Sequence, residues 1–128
     1  MNNLEMITIL YIDDESINTF LFKSIFEKQF DVIIGCSAKE GLEIMNTEGK
    51  KIDIVISDFL MPEMNGIEFI RLANSKYPDI HYYILSAYEK NNEISEALET
   101  KLIDDYFSKP FKSKIIKEAI ANRKSKVL

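Results

Sequence analysis

Apolar residues fall along this chain in two rhythms. Five short runs rich in β-branched residues read as strands: MITILYI (6–12), DVIIGC (31–36), IDIVIS (52–57), HYYILSA (81–87) and DYFS (105–108). The segments between them repeat at helical spacing. ESINTFLFKSIFEKQ follows Asp14, and AKEGLEIMNTE sets Leu42 and Met45 three apart. GIEFIRLANSKY places Ile67, Ile70 and Ala73 on one face. NEISEALETK carries Ile94, Ala97 and Leu98, and KSKIIKEAIANRK carries Ile115, Ile116, Ala119 and Ile120. Strand and helix alternate five times, which predicts βαβ units, a parallel sheet and helices on both faces. The fold class is α/β, a five-stranded doubly wound domain with five helices.

Composition narrows this picture without changing it. A chain of 128 residues fits one domain, and 46% hydrophobic with 29% charged residues is ordinary for a soluble globular one. The net charge of −5 argues against a direct nucleic-acid or anionic-membrane surface. No apolar run nears the ~20 residues that span a bilayer. The opening MNNLEMITILYIDDE lacks the basic region, apolar core and cleavage site of a secretion signal. Cys36 is the only cysteine, so no internal disulfide forms. It is expected to be a small buried apolar residue in a cytoplasmic protein.

Ligands of doubly wound sheets bind outside the carboxyl ends of the strands. There the first strand delivers Asp13 and Asp14, the third Asp58, the fourth Ser86, and the fifth Lys109 followed by Pro110. Asp13 and Asp14 also read as caps for the helix that follows them. Asp58 resists that reading, because the next helix starts only near Asn65. It ends an apolar strand, where an unpartnered carboxylate is costly. Three neighbouring carboxylates repel one another unless some take protons or a divalent cation holds them. All-oxygen ligands with room for water and phosphate favour Mg2+. A carboxylate beside such an ion and an ammonium has the surroundings of a nucleophilic aspartate that forms an acyl phosphate.

The stretches ILYIDDE, DIVISDFLMPEMNG, YYILSA and DDYFSKPF occur in the order and spacing of one known family. Over about residues 5–125 the chain resembles the receiver domain of two-component response regulators. That resemblance implies a flavodoxin-like fold with strand order 2-1-3-4-5 and no second domain in this chain. It implies that Asp58 is the phosphoacceptor, fed by a sensor histidine kinase or a histidine phosphotransfer protein. Asp13, Asp14, Asp58 and the backbone carbonyl of Leu60 would hold Mg2+. Ser86 and Lys109 would engage the phosphoryl group, and Tyr106 would be the switch aromatic that follows Ser86 inward. The face made by the fourth helix, fifth strand and fifth helix would then act on a downstream protein or output domain, or pair two copies of the chain. Such a domain is not an enzyme in the usual sense; it catalyses only its own phosphorylation and slow dephosphorylation.

Some positions depart from the common pattern. Leu102–Ile103 stands where many members have Gly-Ala, so the loop ahead of the fifth strand is expected to be more apolar. Leu60 and Tyr88, two residues after Asp58 and Ser86, carry no group to orient an attacking water. The first helix holds Ile17, Phe20, Leu21, Phe22, Ile25 and Phe26, more than one core-facing stripe, so part of this surface should be exposed for a docking phosphodonor. His81, Asp53 and Asp79 fall at the edge away from the carboxylates, and Asp104 and Asp105 read as structural or partner-facing. A haloacid-dehalogenase-type phosphatase would need a second acid where Leu60 stands. A flavin carrier would need a Ser/Thr/Gly-rich loop where IDDESIN lies. A receiver-shaped module that only binds proteins is the third class.

Overall fold

The computed structural model describes residues 6–124 and 126. The expected domain limits, residues 5 and 125, lie outside the described residues. In chain order the elements are β1 (Thr8–Ile12), α1 (Ser16–Phe26), β2 (Asp31–Gly35), α2 (Ala38–Glu48), a 3-10 turn (Gly49–Lys51), β3 (Ile54–Asp58), α3 (Gly66–Lys76), β4 (His81–Ser86), α4 (Asn92–Glu99), β5 (Asp105–Ser108) and α5 (Ser113–Ala121). The five strands form one parallel sheet in the order β2-β1-β3-β4-β5, as expected.

Strand side chains alternate between faces, so each inner strand supplies two cores. Leu10, Ile12, Val55, Tyr82 and Ile84 pack with Ile67, Phe69 and Ile70 of α3 and Ile94 and Ala97 of α4. Ile9, Tyr11, Ile54, Ile56, Tyr83 and Leu85 pack on the other face with Phe22 and Phe26 of α1 and Ile116 and Ile120 of α5. The connections from β1 run outward to β2 on one side, and β3 lies on β1's other side. The reversal opens a crevice at the carboxyl ends of β1 and β3.

Local chemistry fixes the starts of α2, α3 and α4. Ser37 accepts the Glu40 N–H, Asn91 accepts the Ile94 N–H, and Asn65 forms a capping box with Glu68. The capping reading of Asp13 and Asp14 is corrected: Glu15 is the N-cap of α1 and makes no side-chain cap bond. At the far end of α4 the Leu102 N–H reaches the Ala97 carbonyl and the Lys101 N–H that of Leu98. This is a Schellman closure, with Lys101 at φ 62° where glycine is usual. It turns Leu102 and Ile103 into the core beneath α4, which is how the apolar substitute for Gly-Ala is accommodated.

One other expectation changes, and two residues at the far edge are tied into the fold. Cys36 is exposed, because β2 ends at Gly35 and the chain there turns out toward α2. His81 does lie at the edge away from the carboxylates, yet it is buried and its Nδ1 bonds Asp104. Asp53 is no idle strand end either: it accepts the Thr8 N–H at 2.9 Å and pins the start of β1.

Candidate functional site

Four strands bring their last residues to one rim. Asp58 closes β3 and is 6% exposed; Asp13 follows β1 and is fully buried. Asp14, beside it, is exposed. One carboxylate oxygen from each of Asp13, Asp14 and Asp58 lies within 4.8 Å of the other two. The ammonium of Lys109, just past β5, sits 2.9 Å from Asp58 Oδ1 and 3.2 Å from Asp13 Oδ2. The Lys109–Pro110 peptide is cis. Ser86 ends β4, is buried, and its Oγ accepts the Tyr88 N–H at 3.1 Å. Its carbonyl accepts the Lys109 N–H at 2.9 Å, which ties the ends of β4 and β5 together. A hollow of about 200 Å³ opens between Asp58, Ser86, Lys109 and Asp14, with Leu60 and Tyr88 on its rim. Larger hollows lie at the opposite edge of the sheet, around Tyr77 and His81, and do not touch this cluster.

The electrostatics follow from crowding. Burial pushes the Asp58 carboxyl up to about 6, against the pull of its hydrogen bond to Lys109, while Asp13 pushes it further. Burial also works against the Lys109 charge, but Asp58 and Asp13 outweigh it and hold the ammonium above its ordinary value. One ammonium faces three carboxylates, so the cluster keeps an excess of negative charge. Hard oxygen donors, mutual closeness and uncompensated charge fit a divalent cation of the Mg2+ type.

The structure therefore brings Asp13, Asp14, Asp58, Ser86 and Lys109 together and places Leu60 at the mouth. Tyr106 stands apart from the cluster, half-buried on β5 and packed against the core on the α4 side. On α1, Thr19, Phe22 and Phe26 face the core, whereas Phe20 is 64% exposed and Ile17, Leu21 and Ile25 are exposed with it. Sequence reasoning did not single out Tyr11. Its hydroxyl donates to Asp13 Oδ2 at 2.9 Å. A tyrosine two residues before Asp13, on the same strand face and flanked by Leu10 and Ile12, was the available signal.

The family model for the response regulator receiver domain matches residues 9–121. The chain belongs to that family. As a receiver domain of two-component signalling it has curated relatives in Staphylococcus. It is 29% identical over 115 residues to the response regulator protein VraR of S. saprophyticus, covering 89% of this chain and 54% of that one. It is 31% identical over 107 residues to the response regulator SaeR of S. aureus, covering 83% and 45%. The chain thus spans about half the length of these two regulators. A receiver domain protein from Clostridium thermocellum superposes with a TM-score of 0.81 at 28% identity, over 91% of this chain and 93% of that one. The receiver fold expected from the sequence is the one found. No helix among the described residues is long and apolar enough to cross a membrane.

Proposed function

We propose that this receiver domain accepts a phosphoryl group on Asp58 from a phosphohistidine of a sensor kinase or phosphotransfer protein, and passes the change to a downstream partner or output domain. The observation that supports this most is the placing of one buried carboxylate, two companions and one ammonium around a single small hollow. Asp58 attacks the phosphorus, the bond to the donor's imidazole breaks, and the imidazole leaves with that electron pair. Lys109, already held between Asp58 and Asp13, follows the charge onto the phosphoryl oxygens. Mg2+ on Asp13, Asp14, Asp58 and the Leu60 carbonyl would supply the charge neutralisation that brings an anionic donor to an anionic cluster. A phosphohistidine donor of this kind would put the reaction in the cytoplasm.

The phosphoryl group adds about 1.5 to 2 negative charges and three acceptor oxygens. Ser86 then moves to donate its hydroxyl to a phosphoryl oxygen and releases the Tyr88 N–H, which frees the segment leading into α4. Tyr106 fills the space that Ser86 leaves, and the α4–β5–α5 face changes shape for its partner. Intact-mass spectrometry after incubation with acetyl phosphate tests the reading. A single phosphoryl adduct that needs Mg2+ supports it, and an unmodified protein refutes it.

Two further results are expected. Leu60 and Tyr88 flank the hollow with apolar or aromatic side chains and offer no carboxylate or amide to aim a water at the acyl phosphate. The phosphoprotein should therefore decay over minutes or longer with Mg2+ present; loss within seconds would contradict this. The exposed apolar surface of α1, next to the rim, suits a docking phosphodonor. Phe20→Ala should slow transfer from the phosphohistidine protein and leave acetyl phosphate labelling unchanged; equal slowing of both would remove the docking role.

A further inference from the structure

We infer that Tyr11 is a positioning residue for the acidic cluster, its hydroxyl fixing the Asp13 carboxylate from below while its ring is clamped by α1. The inference rests on reading Asp13, Asp14 and Asp58 as a Mg2+ site.

Tyr11 lies in the middle of β1 and is 1% exposed. Its neighbours on the strand, Ile9, Leu10 and Ile12, are aliphatic. A phenylalanine would pack there as well and would bury no hydroxyl, since a buried hydroxyl is costly without a partner. The partner is specific. Strand alternation puts Tyr11 and Asp13 on one face, and the hydroxyl donates to Asp13 Oδ2 at 2.9 Å. Asp13 has no contact with bulk water, so its orientation depends on its donors. These are Tyr11 and Lys109 on Oδ2, and the Glu15 N–H on Oδ1 at 3.0 Å. Only Lys109 among them is charged. A neutral donor at position 11 fixes the carboxylate without adding a second positive charge that would compete with a cation.

The hydroxyl is itself aimed by packing. The Tyr11 ring stacks on Phe22 with centroids 4.0 Å apart and planes 5° from parallel. Phe22 and Phe26 also hold Phe111, at 5.5 and 5.8 Å, two residues beyond Lys109. One aromatic cluster on α1 therefore braces both sides of the Asp13–Lys109 contact. Groups that orient metal-binding carboxylates typically change affinity 10–100-fold when removed.

Tyr11→Phe keeps the ring and deletes the hydroxyl. Calorimetric titration of the unphosphorylated protein with Mg2+ should give a dissociation constant raised about tenfold. A second readout needs no variant. Binding of Mg2+ draws electron density from Asp13 and weakens the phenol's hydrogen bond, so the Cζ resonance of Tyr11 in carbon-labelled wild type should move as the ion is added. Wild type that binds Mg2+ while Tyr11→Phe binds it equally well overturns the role of Tyr11 alone, as does a Tyr11 resonance unmoved at saturation. Wild type that takes up no Mg2+ overturns the cation reading beneath it. If Tyr11→Phe does not fold, the wild-type resonance decides.

Discussion

Asp58→Asn is expected to abolish labelling by acetyl phosphate and, in the same protein, to stabilise the metal-free fold. Both effects come from one feature. The amide cannot attack phosphorus, so the adduct should vanish from the mass spectrum rather than shrink. The amide also removes a charge that the fold disfavours. The wild-type carboxyl is pushed up to about 6, chiefly by burial, from an ordinary value of 3.8. Below 3.8 folded and unfolded chains are both protonated there, and Asp58 costs nothing. As pH rises, the unfolded chain releases its proton first and the folded one holds it, so wild-type stability falls until about pH 6. Above that the full penalty, on the order of 1–3 kcal/mol, is present. Chemical denaturation without divalent ions should show Asp58→Asn more stable than wild type by this amount at pH 7 and level with it near pH 3. With Mg2+ at a hundredfold its dissociation constant, wild type should instead gain about 2.7 kcal/mol, most of which the variant lacks. A variant less stable than wild type at pH 7 without Mg2+ would show that the Lys109 pair outweighs the crowding.

Gly66→Ala is the second large effect. Gly66 opens α3, and its N–H donates to the Phe59 carbonyl at 2.7 Å. A β-carbon placed there would stand 2.2 Å from the backbone oxygen of Asp58 and 2.8 Å from Ile84 Cδ1. The Ile84 side chain could turn aside, but the strand end is backbone and yields only at a cost. The close approach, not an unusual dihedral, is what demands glycine. Relief requires α3 to withdraw or the end of β3 to shift, at a cost of about 1–3 kcal/mol. Because the displaced atoms belong to Asp58, labelling should fall as well. Melting and labelling should therefore drop together. A variant that melts like wild type would mean that the α3 start yields without strain.

How far the sequence could be read depended on whether local rules decide the outcome. The helix start near Asn65 and the apolar run ending in Asp58 are local, and both were legible. Alternation of strand and helix established a doubly wound sheet, but the strand order entered only with the resemblance to a family, since alternation does not say on which side of β1 each strand is laid. On α1 the periodicity foretold surplus apolar surface. It did not show that Thr19 would face the core while Leu21 and Ile25 face out, because the aromatic cluster of Phe22, Phe26 and Phe111 sets the helix's rotation. Cys36 was misjudged because it continues an apolar run that the sheet abandons one residue earlier. His81 and Asp104 are 23 residues apart, and Tyr11 meets Asp13 under a lysine almost a hundred positions away. Such pairings depend on the folded arrangement and leave only faint marks in composition.

The proposed phosphoryl transfer depends on the acidic rim being a cation site. Calorimetric titration of Mg2+ into the wild-type protein at neutral pH addresses this most directly. One saturable site, weakened when Asp14 is replaced by alanine, is the expected result. No heat of binding at millimolar Mg2+, or uptake unchanged in Asp14→Ala, would contradict it.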